Sequence, residues 1–264
     1  MKKKAFAVQY KRNYWLKTIR RLLPYERQLK QAVADVFNDI QKEVTANINN
    51  EFSKDFKSFF NVSLAITKLK KKTLPILSRL SNSSTKSGLS IISQSYVAED
   101  WLTRNARISK KHSEKIAESI NTLDKELKED VRRSLARNTT RDPQEQLSKL
   151  IEDTNNKFNG YYKQGRAETI ARTNTTAVDN EVKKDTWKEM GVRELEWVTE
   201  GDDRVRDSHE AMDGTRIDID GSFSIEIYDS NGEPTGEFTE SPFPAGGQVA
   251  SQDVNCRCTL LPIL

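Results

Sequence analysis

The chain has 264 residues, of which 35% are hydrophobic and 31% are charged, too polar a composition for one thick core. Its two cysteines, Cys256 and Cys258, exclude the disulfide framework of a secreted mini-domain, and no apolar run approaches the ~18 residues of a transmembrane helix. The basic N-terminus also breaks its apolar run too early for a signal peptide, so we expect folding in a cytoplasm.

Charge divides the chain into two parts. Residues 1–150 carry 31 basic and 16 acidic side chains, a net charge of +15, whereas residues 151–264 carry 12 and 23, a net charge of −11. A positive part attracts polyanions and an acidic part repels them. This split indicates two parts with different partners, although a Lys-rich solvated helical surface would produce the same count.

The first predicted element is a long helix from Tyr25 to Phe60. Pro24 stands just before it, where the first turn of a helix tolerates proline. Such a helix would approach ~50 Å, and its apolar stripe needs a partner along its whole length. We expect this arm to self-associate. The stripe comprises Leu29, Ala32, Val33, Val36, Phe37, Ile40, Val44, Ile48, Phe52, Phe56 and Phe59.

Further helices are predicted along the chain. The second covers 62–80 with an interruption at Pro75, and the polar segment 81–88 is predicted to be a loop. A third helix covers 89–106 and a fourth starts at Ser113. Asp142-Pro143 is a start signal for a short helix to about Lys157, and a longer helix over 161–190 is closed by Gly191.

After Gly191 the pattern changes to short β-type runs, 195–199 and 223–228, punctuated by Gly and Pro. The predicted fold class is therefore α+β. It consists of a basic long-helix arm or bundle over 1–160, followed by a small loop-rich α+β module over 161–264.

Basic residues of the N-terminal half are candidates for DNA contact. Contact with phosphate is independent of sequence and needs only charge density, so runs of Lys and Arg on helices can provide it. Solvated helix faces are the alternative explanation. The candidate residues are Lys68, Lys70, Lys71, Lys72, Lys110, Lys111, Arg132 and Arg133.

The most distinctive pattern lies in the last third of the chain. It contains Trp197-Val198-Thr199, then Asp202, Arg204, Arg206 and His209, then Asp213-Gly214, Phe243-Pro244-Ala245-Gly246 and Asn255-Cys256-Arg257-Cys258. This order resembles the phage Mu F-like head morphogenesis family, with its W-x-T, D-x-R-x-R-x-x-H, D-G, F-P-x-G and N-C-R-C motifs. The resemblance covers about residues 165–260. Ala171-Arg172-Thr173-Asn174 also matches, except that the family often has an acidic residue at the position of Asn174.

The resemblance implies a minor head protein of a tailed bacteriophage. Such a protein is incorporated in few copies in the head interior or at the portal vertex and is assembled in the host cytoplasm without a membrane. It implies the portal protein, other head proteins and double-stranded phage DNA as partners, and roles in head assembly and DNA packaging or ejection. Related domains also occur fused to toxin-like enzymes. The alternative within the same class is a portal-associated assembly factor that binds protein and never contacts DNA.

Two interpretations of the charged cluster remain open beside a purely structural one, in which arginine–carboxylate pairs lock the loops and His209 pairs with Asp213. The ligand types of a zinc site are present in His209, Cys256 and Cys258, with Asp202 or Asp203. The preferred interpretation has no cofactor. An enzyme is the third class, a hydrolase or transferase using His209; an open cleft joining His209 to a cysteine would favour it. No P-loop, G-x-S-x-G or H-E-x-x-H motif is present, so no catalytic residue is assigned.

Folding of the C-terminal segment is the last expectation. We expect 255–258 to close the module against the Trp197 strand, with Cys256 and Cys258 alternating between the two faces of a terminal strand. Arg257 is expected to pair with one of Asp202, Asp203, Asp207 or Asp213.

Overall fold

The computed structural model describes residues 2–50, 59–92, 99–138, 142–202, 204–229, 231–247 and 249–264. Phe52 and Phe56 of the predicted stripe, and Asp203 of the charged motif, lie outside the described residues. The helices are α1 (Lys2–Asn50), α2 (Val62–Ile91), α3 (Glu99–Arg137), α4 (Pro143–Lys157), a π-helical segment (Phe158–Arg166), α5 (Ala167–Glu189), α6 (Asp207–Glu210) and α7 (Ala250–Asp253). The strands are β1 (Glu194–Val198), β2 (Arg216–Asp218), β3 (Phe223–Tyr228), β4 (Pro234–Ser241) and β5 (Thr259–Ile263).

The α+β class is confirmed, but the first helix begins much earlier than predicted. α1 starts at Lys2 and carries Pro24 in its interior. A proline there removes a backbone hydrogen bond and disfavours the helix by ~3 kcal/mol. Leu22 and Leu29, on either side of Pro24, are 3% and 0% exposed. Burial of such side chains by tertiary packing outweighs this local preference.

The predicted loop at 81–88 is wrong, because α2 continues through it to Ile91 and also through Pro75. Ser81, Ser84 and Thr85 of this polar segment are buried, and their hydroxyl groups have hydrogen-bond partners. Ser81 Oγ lies 2.9 Å from Ser109 Oγ, and Asn105 Nδ2 donates to Thr85 Oγ1 at 2.8 Å. A polar helix face that finds polar partners on a neighbouring helix remains helical.

The third and fourth predicted helices form one element. α3 runs without interruption from Glu99 to Arg137, and residues 89–91, the predicted start of the third helix, belong to α2. The start signal before α4 is confirmed, because Asp142 Oδ1 accepts a hydrogen bond from the Gln144 backbone N–H at 2.9 Å. The predicted strands at 195–199 and 223–228 correspond to β1 and β3.

Two antiparallel sheets follow α5. One has the strand order β2-β1-β5, and the other is the hairpin of β3 and β4. Gly191 ends α5 with a φ of 79°, a conformation that glycine adopts at little cost. A buried cluster behind the strands contains Trp187, Trp197, Phe223 and Leu260.

The chain packs as two compact units. Unit 1 comprises Met1–Arg27, Leu77–Ser109 and Arg172–Leu264, and it contains all the strands. Unit 2 comprises Gln28–Ile76 and Lys110–Ala171 and is helical. These ranges differ from the predicted division near residue 160, and independent folding of 161–264 stays a prediction. Among the described residues, no helix has the length and apolarity needed to cross a membrane.

Unit 2 buries the apolar stripe of α1 within the chain. Val33, Phe37 and Ile48 are completely buried. The ring of Phe37 lies edge-on to that of Tyr162 with centroids 6.2 Å apart, and Lys163 Nζ donates to Asn38 Oδ1 at 2.9 Å. The described part of the stripe therefore finds its partners inside unit 2, without a second copy of the chain.

Candidate functional site

His209 is held in a buried position by a short helix in unit 1. The Arg206 carbonyl accepts the backbone N–H groups of His209 and Glu210, both at 2.8 Å, at the start of α6. The His209 ring stands edge-on to Trp197 with centroids 5.3 Å apart, and the residue is 2% exposed. The Arg206 guanidinium donates to the Val254 carbonyl and so connects this turn to the C-terminal segment.

Cys256 and Cys258 both face His209. Their Sγ atoms lie 3.7 and 3.5 Å from His209 Nδ1. Asn255, just before them, has a φ of 60°, a left-handed conformation that Asn tolerates better than most residues. Because β5 starts only at Thr259, neither cysteine is part of a strand, and the expectation that they point to opposite faces is wrong.

The predicted closure of the module by its C-terminus is confirmed. β5 pairs antiparallel with β1, and Leu260 lies opposite Trp197. The segment just before β5 is also bonded to α5, since the Asn255 backbone N–H donates to Thr173 Oγ1 at 3.0 Å and Arg172 donates to Asn255 Oδ1 at 3.4 Å. The segments 171–174 and 255–258, both parts of the family-like pattern, are therefore in contact.

The pKa values of the two thiols are shifted in opposite directions. Hydrogen bonding with Cys258, aided by His209 and opposed by burial, lowers the pKa of Cys256 well below its ordinary value. Hydrogen bonding with Cys256, together with burial, raises the pKa of Cys258. The pair therefore holds one negative charge more readily than two. The three ligand atoms lie within 4.8 Å of one another, so the cluster could hold a metal ion.

An open cleft of about 510 Å³ borders this cluster. His209, Cys256 and Cys258 line one part of it, and a helical face with Trp15 and Leu16 lines another. The charged residues around it are Arg20, Arg172, Arg204, Arg206, Arg257, Glu200 and Asp202. The buried His–Cys–Cys cluster is thus bordered by space that solvent can enter.

The predicted pairing of His209 with Asp213 does not form: the Nδ1 atom of His209 faces the thiols, and Asp213 bonds to Thr199. Asp213 Oδ1 instead accepts from the Thr199 backbone N–H at 2.8 Å and from the Thr199 hydroxyl at 3.2 Å. Asp202 Oδ2 accepts from Nε and Nη2 of Arg204 at 2.9 and 2.6 Å. The Asp202 carboxylate is therefore engaged by Arg204 and does not join the cluster as a fourth metal ligand.

Arg257 has a partner that the sequence did not suggest. The prediction paired it with Asp202, Asp203, Asp207 or Asp213, whereas Arg257 Nη2 donates to Glu26 Oε1 at 3.0 Å. The same Glu26 oxygen lies 3.5 Å from Arg172 Nε. The carbonyl of Arg257 accepts from Trp15 Nε1 at 3.0 Å. The error has a simple cause: the prediction placed residues 1–160 and the C-terminal module in separate domains, whereas Met1–Arg27 and Arg172–Leu264 both belong to unit 1.

Sequence reasoning also missed Asn180, which is 1% exposed. Its Nδ2 donates to the carbonyls of Pro244 and Cys258 at 3.0 and 3.1 Å, and its Oδ1 accepts from the Leu260 backbone N–H at 3.2 Å. Asn180 thus fixes both the Phe243-Pro244 turn and the start of β5 to α5. An asparagine on a predicted amphipathic helix gives no signal of this role.

The basic candidate residues all lie in unit 2 and are all exposed. Lys68 pairs with Asp39 at 3.1 Å and Lys72 with Asp35 at 3.0 Å. Arg132 and Arg133 each lie 3.7 Å from Glu129. A polyanion that bound here would compete with these exposed pairs, which are weak in water.

The fold defines a class of protein with long helices and a small sheet module that a Cys-x-Cys segment closes. Comparisons with known proteins test this class. A family model described as "Phage Mu protein F like protein" matches residues 118–261. The NAD(+)-arginine ADP-ribosyltransferase EFV of Enterococcus faecalis is 33% identical over 107 residues, which are 39% of this chain and 19% of that protein. The chain therefore spans about a fifth of that relative's length. No solved structure matches the chain.

The family match covers more than half of the chain, so the chain belongs to the phage Mu protein F like family. This confirms the family that the motifs suggested. The family is one of phage head morphogenesis proteins.

Proposed function

We propose that the chain is a minor head protein of a tailed bacteriophage, present in few copies in the head interior or at the portal vertex. In this proposal it is assembled in the host cytoplasm without a membrane, binds the portal protein and other head proteins, and acts in head assembly and DNA packaging or ejection. Family membership is the observation that carries the proposal. The His209, Cys256 and Cys258 cluster stabilises the module and takes no part in a reaction.

Direct DNA contact is assigned to unit 2. The support is the exposure of all eight basic candidate residues in one unit, on helices α2 and α3. Such contacts are electrostatic, so affinity should fall steeply with salt, by about 0.9 in the logarithmic slope for each phosphate neutralised. Self-association is not required to bury the α1 stripe, because the described part of that stripe is covered inside unit 2.

The test is binding of the full chain to a short DNA duplex, measured by fluorescence anisotropy at several salt concentrations. The variant Lys70→Glu/Lys71→Glu/Lys110→Glu should lose most of the affinity and reduce the salt slope. The matched control, Lys17→Glu/Lys86→Glu/Arg193→Glu, changes the same charge at exposed positions of unit 1 and should bind like the parent. Equal losses in both triple variants would contradict a defined site. Absence of DNA binding by the parent chain would favour the portal-associated factor that binds protein only.

A second candidate function is favoured by the open cleft that borders His209 and the cysteines. It is a hydrolase or transferase that uses His209, and an ADP-ribosyl transfer to arginine is the reaction to test because the similar E. faecalis protein carries that name. Incubation of the chain with labelled NAD⁺ and an arginine-containing acceptor measures it. Transfer of label that is abolished by His209→Ala would replace the structural proposal, and we expect no transfer.

A further inference from the structure

We propose that His209, Cys256 and Cys258 bind one zinc ion, which staples the C-terminal segment to the α6 turn. This inference does not depend on the role of the chain in a phage head. Imidazole nitrogen and thiolate sulfur are the ligands that zinc prefers in proteins. All three side chains are at most 5% exposed, and both cysteines are free of disulfide bonds.

The distances fit a tetrahedral ion. With Zn–S bonds of about 2.3 Å and a Zn–N bond of about 2.0–2.1 Å, the nitrogen–sulfur edges of a zinc tetrahedron measure about 3.5 Å. The two sulfur atoms lie 3.7 and 3.5 Å from His209 Nδ1. The three atoms therefore define three corners around a common centre. Thiol–imidazole hydrogen bonds have similar separations, so metal content, and not distance alone, distinguishes the two arrangements.

Among the residues that the structure describes, only His209, Cys256 and Cys258 offer ligand atoms at the cluster. The same three residues line the cleft of about 510 Å³, and Asp202, one of the two sequence candidates for a fourth ligand, is engaged by Arg204. Three protein ligands with an exchangeable fourth position are typical of catalytic zinc sites, whereas structural sites usually have four protein ligands. The structural role proposed here therefore rests on the connection that the ion makes between the α6 turn and the C-terminal segment.

The local structure also explains why a staple is useful here. Residues 242–247 and 249–258 form bends, turns and the four-residue helix α7, and the sheet that they close has three strands. Connecting Cys256 to His209, 47 residues earlier, restrains a long loop and removes conformational freedom from the unfolded chain. Without the metal, the cluster has only weak thiol hydrogen bonds.

The test measures metal content in the full chain, produced in zinc-supplemented medium with an affinity tag that contains no histidine. Inductively coupled plasma mass spectrometry should find one zinc per chain in the parent. Cys256→Ser/Cys258→Ser should contain less than about a tenth of that amount. His112→Asn is the matched control, because His112 is the other histidine of the chain, is also buried and lies in unit 2. It should keep one zinc per chain.

Two further measurements protect the test against variants that fail to fold. Chelation of the parent should lower its Tm by roughly 5–10 °C, and added zinc should restore it. Cobalt substituted into the parent should show thiolate-to-metal charge-transfer absorption, reduced by about half in Cys256→Ser. A folded parent without metal and without this cobalt absorption would overturn the proposal. Retention of one zinc per chain by the double cysteine variant would also overturn it.

Discussion

At the scale of single residues, Asn180 is the clearest example of a side chain that stabilises the fold through its hydrogen bonds. Replacing it with alanine leaves two carbonyl groups and one backbone N–H without their bonds inside the protein, and each such loss costs about 1–3 kcal/mol. We expect Asn180→Ala to lower the free energy of unfolding by about 3 kcal/mol or more. Denaturant unfolding followed by tryptophan fluorescence measures it, since Trp15, Trp101, Trp187 and Trp197 all belong to unit 1.

The matched control for this prediction is Asn121→Ala, a change at an exposed position of α3 in unit 2. We expect it to change the unfolding free energy by less than about 0.5 kcal/mol. Similar stability of the two variants would show that the Asn180 bonds contribute little.

Substitution of Gly246 tests the packing of the Phe243-Pro244 turn, to which Asn180 is hydrogen-bonded. A Cβ atom at this position would lie 2.1 Å from a ring carbon of Phe243, whose side chain is buried at 7% exposure. Since the ring is packed in the core cluster, Gly246→Ala forces it to move, at a cost of about 1–3 kcal/mol. The same change at Gly160 meets no atom within 4 Å in its π-helical segment and should be neutral or slightly stabilising. Thermal unfolding of both variants gives the comparison, and an unchanged Tm for Gly246→Ala would contradict the packing described.

Asp179 predicts a dependence of stability on pH. Burial raises the pKa of Asp179, but the charges of Arg21 and Lys183 outweigh burial and hold its pKa at about 2. The unfolded value is about 3.9, so this carboxylate contributes stability above about pH 4 and loses it as the pH falls toward 2. In Asp179→Asn, the buried Lys183, which is 0% exposed, loses its counter-charge at 2.9 Å. The variant should therefore be less stable at pH 7 by roughly 3–5 kcal/mol.

The contribution of Asp179 is measured as the difference in free energy of unfolding between the parent and Asp179→Asn at each pH. This difference should be largest at neutral pH and should shrink between about pH 4 and pH 2, where the parent protonates Asp179. Urea unfolding at several pH values measures it. A difference that stays constant down to pH 2 would rule out a low pKa for Asp179.

At the scale of elements, the first turns of α1 are part of the sheet module. Tyr14 donates its hydroxyl proton to the Leu260 carbonyl at 2.7 Å, Trp15 donates to the Arg257 carbonyl at 3.0 Å, and Trp15 is 4% exposed. Trp15→Ala should destabilise unit 1 by about 3–5 kcal/mol. Tyr10→Ala, on the same helix but 50% exposed, is the control and should cost less than about 0.5 kcal/mol. Unfolding followed by far-ultraviolet circular dichroism compares the two variants. Equal losses of stability would contradict the claim that the first turns of α1 stabilise the sheet module.

The sequence predicted the elements whose pattern is local. The start of α4 at Asp142-Pro143, the glycine that ends α5, and strands β1 and β3 each carry their own signal. The continuation of α2 through Ser81 and Thr85 could not be predicted, because it depends on polar partners on another helix. The start of α1 was missed because Pro24 is a local signal for a helix start that distant packing overrides.

The candidate site was predicted by residue type but not by contact. His209, Cys256 and Cys258 were grouped as possible ligands from their chemistry, and the structure brings them together. The partners of Arg257 and Asp213 were assigned wrongly, because sequence distance does not tell which carboxylate a folded chain places nearby. Glu26 lies 231 residues from Arg257 and contacts it. Asn180 was missed for the same reason, since its partners are 64 to 80 residues away.

At the scale of the whole molecule, the charge split of the sequence does not follow the two units. Unit 1 carries 22 basic and 23 acidic residues, a net charge of −1, and unit 2 carries 21 and 16, a net charge of +5. The basic candidate residues belong to unit 2, whereas the cluster of His209 and the cysteines and all the strands belong to unit 1. The predicted boundary near residue 160 would assign Trp15 and Arg257 to different domains, although they are hydrogen-bonded within unit 1.

The central claim is that this chain is a structural component of a phage head. The measurement that tests it most directly is quantitative mass spectrometry of DNA-filled heads, purified by density gradient from a phage that encodes the chain. We predict that the chain remains with the heads through high-salt washing, in a few copies for each portal ring. Heads that package DNA and contain none of the chain would contradict the claim.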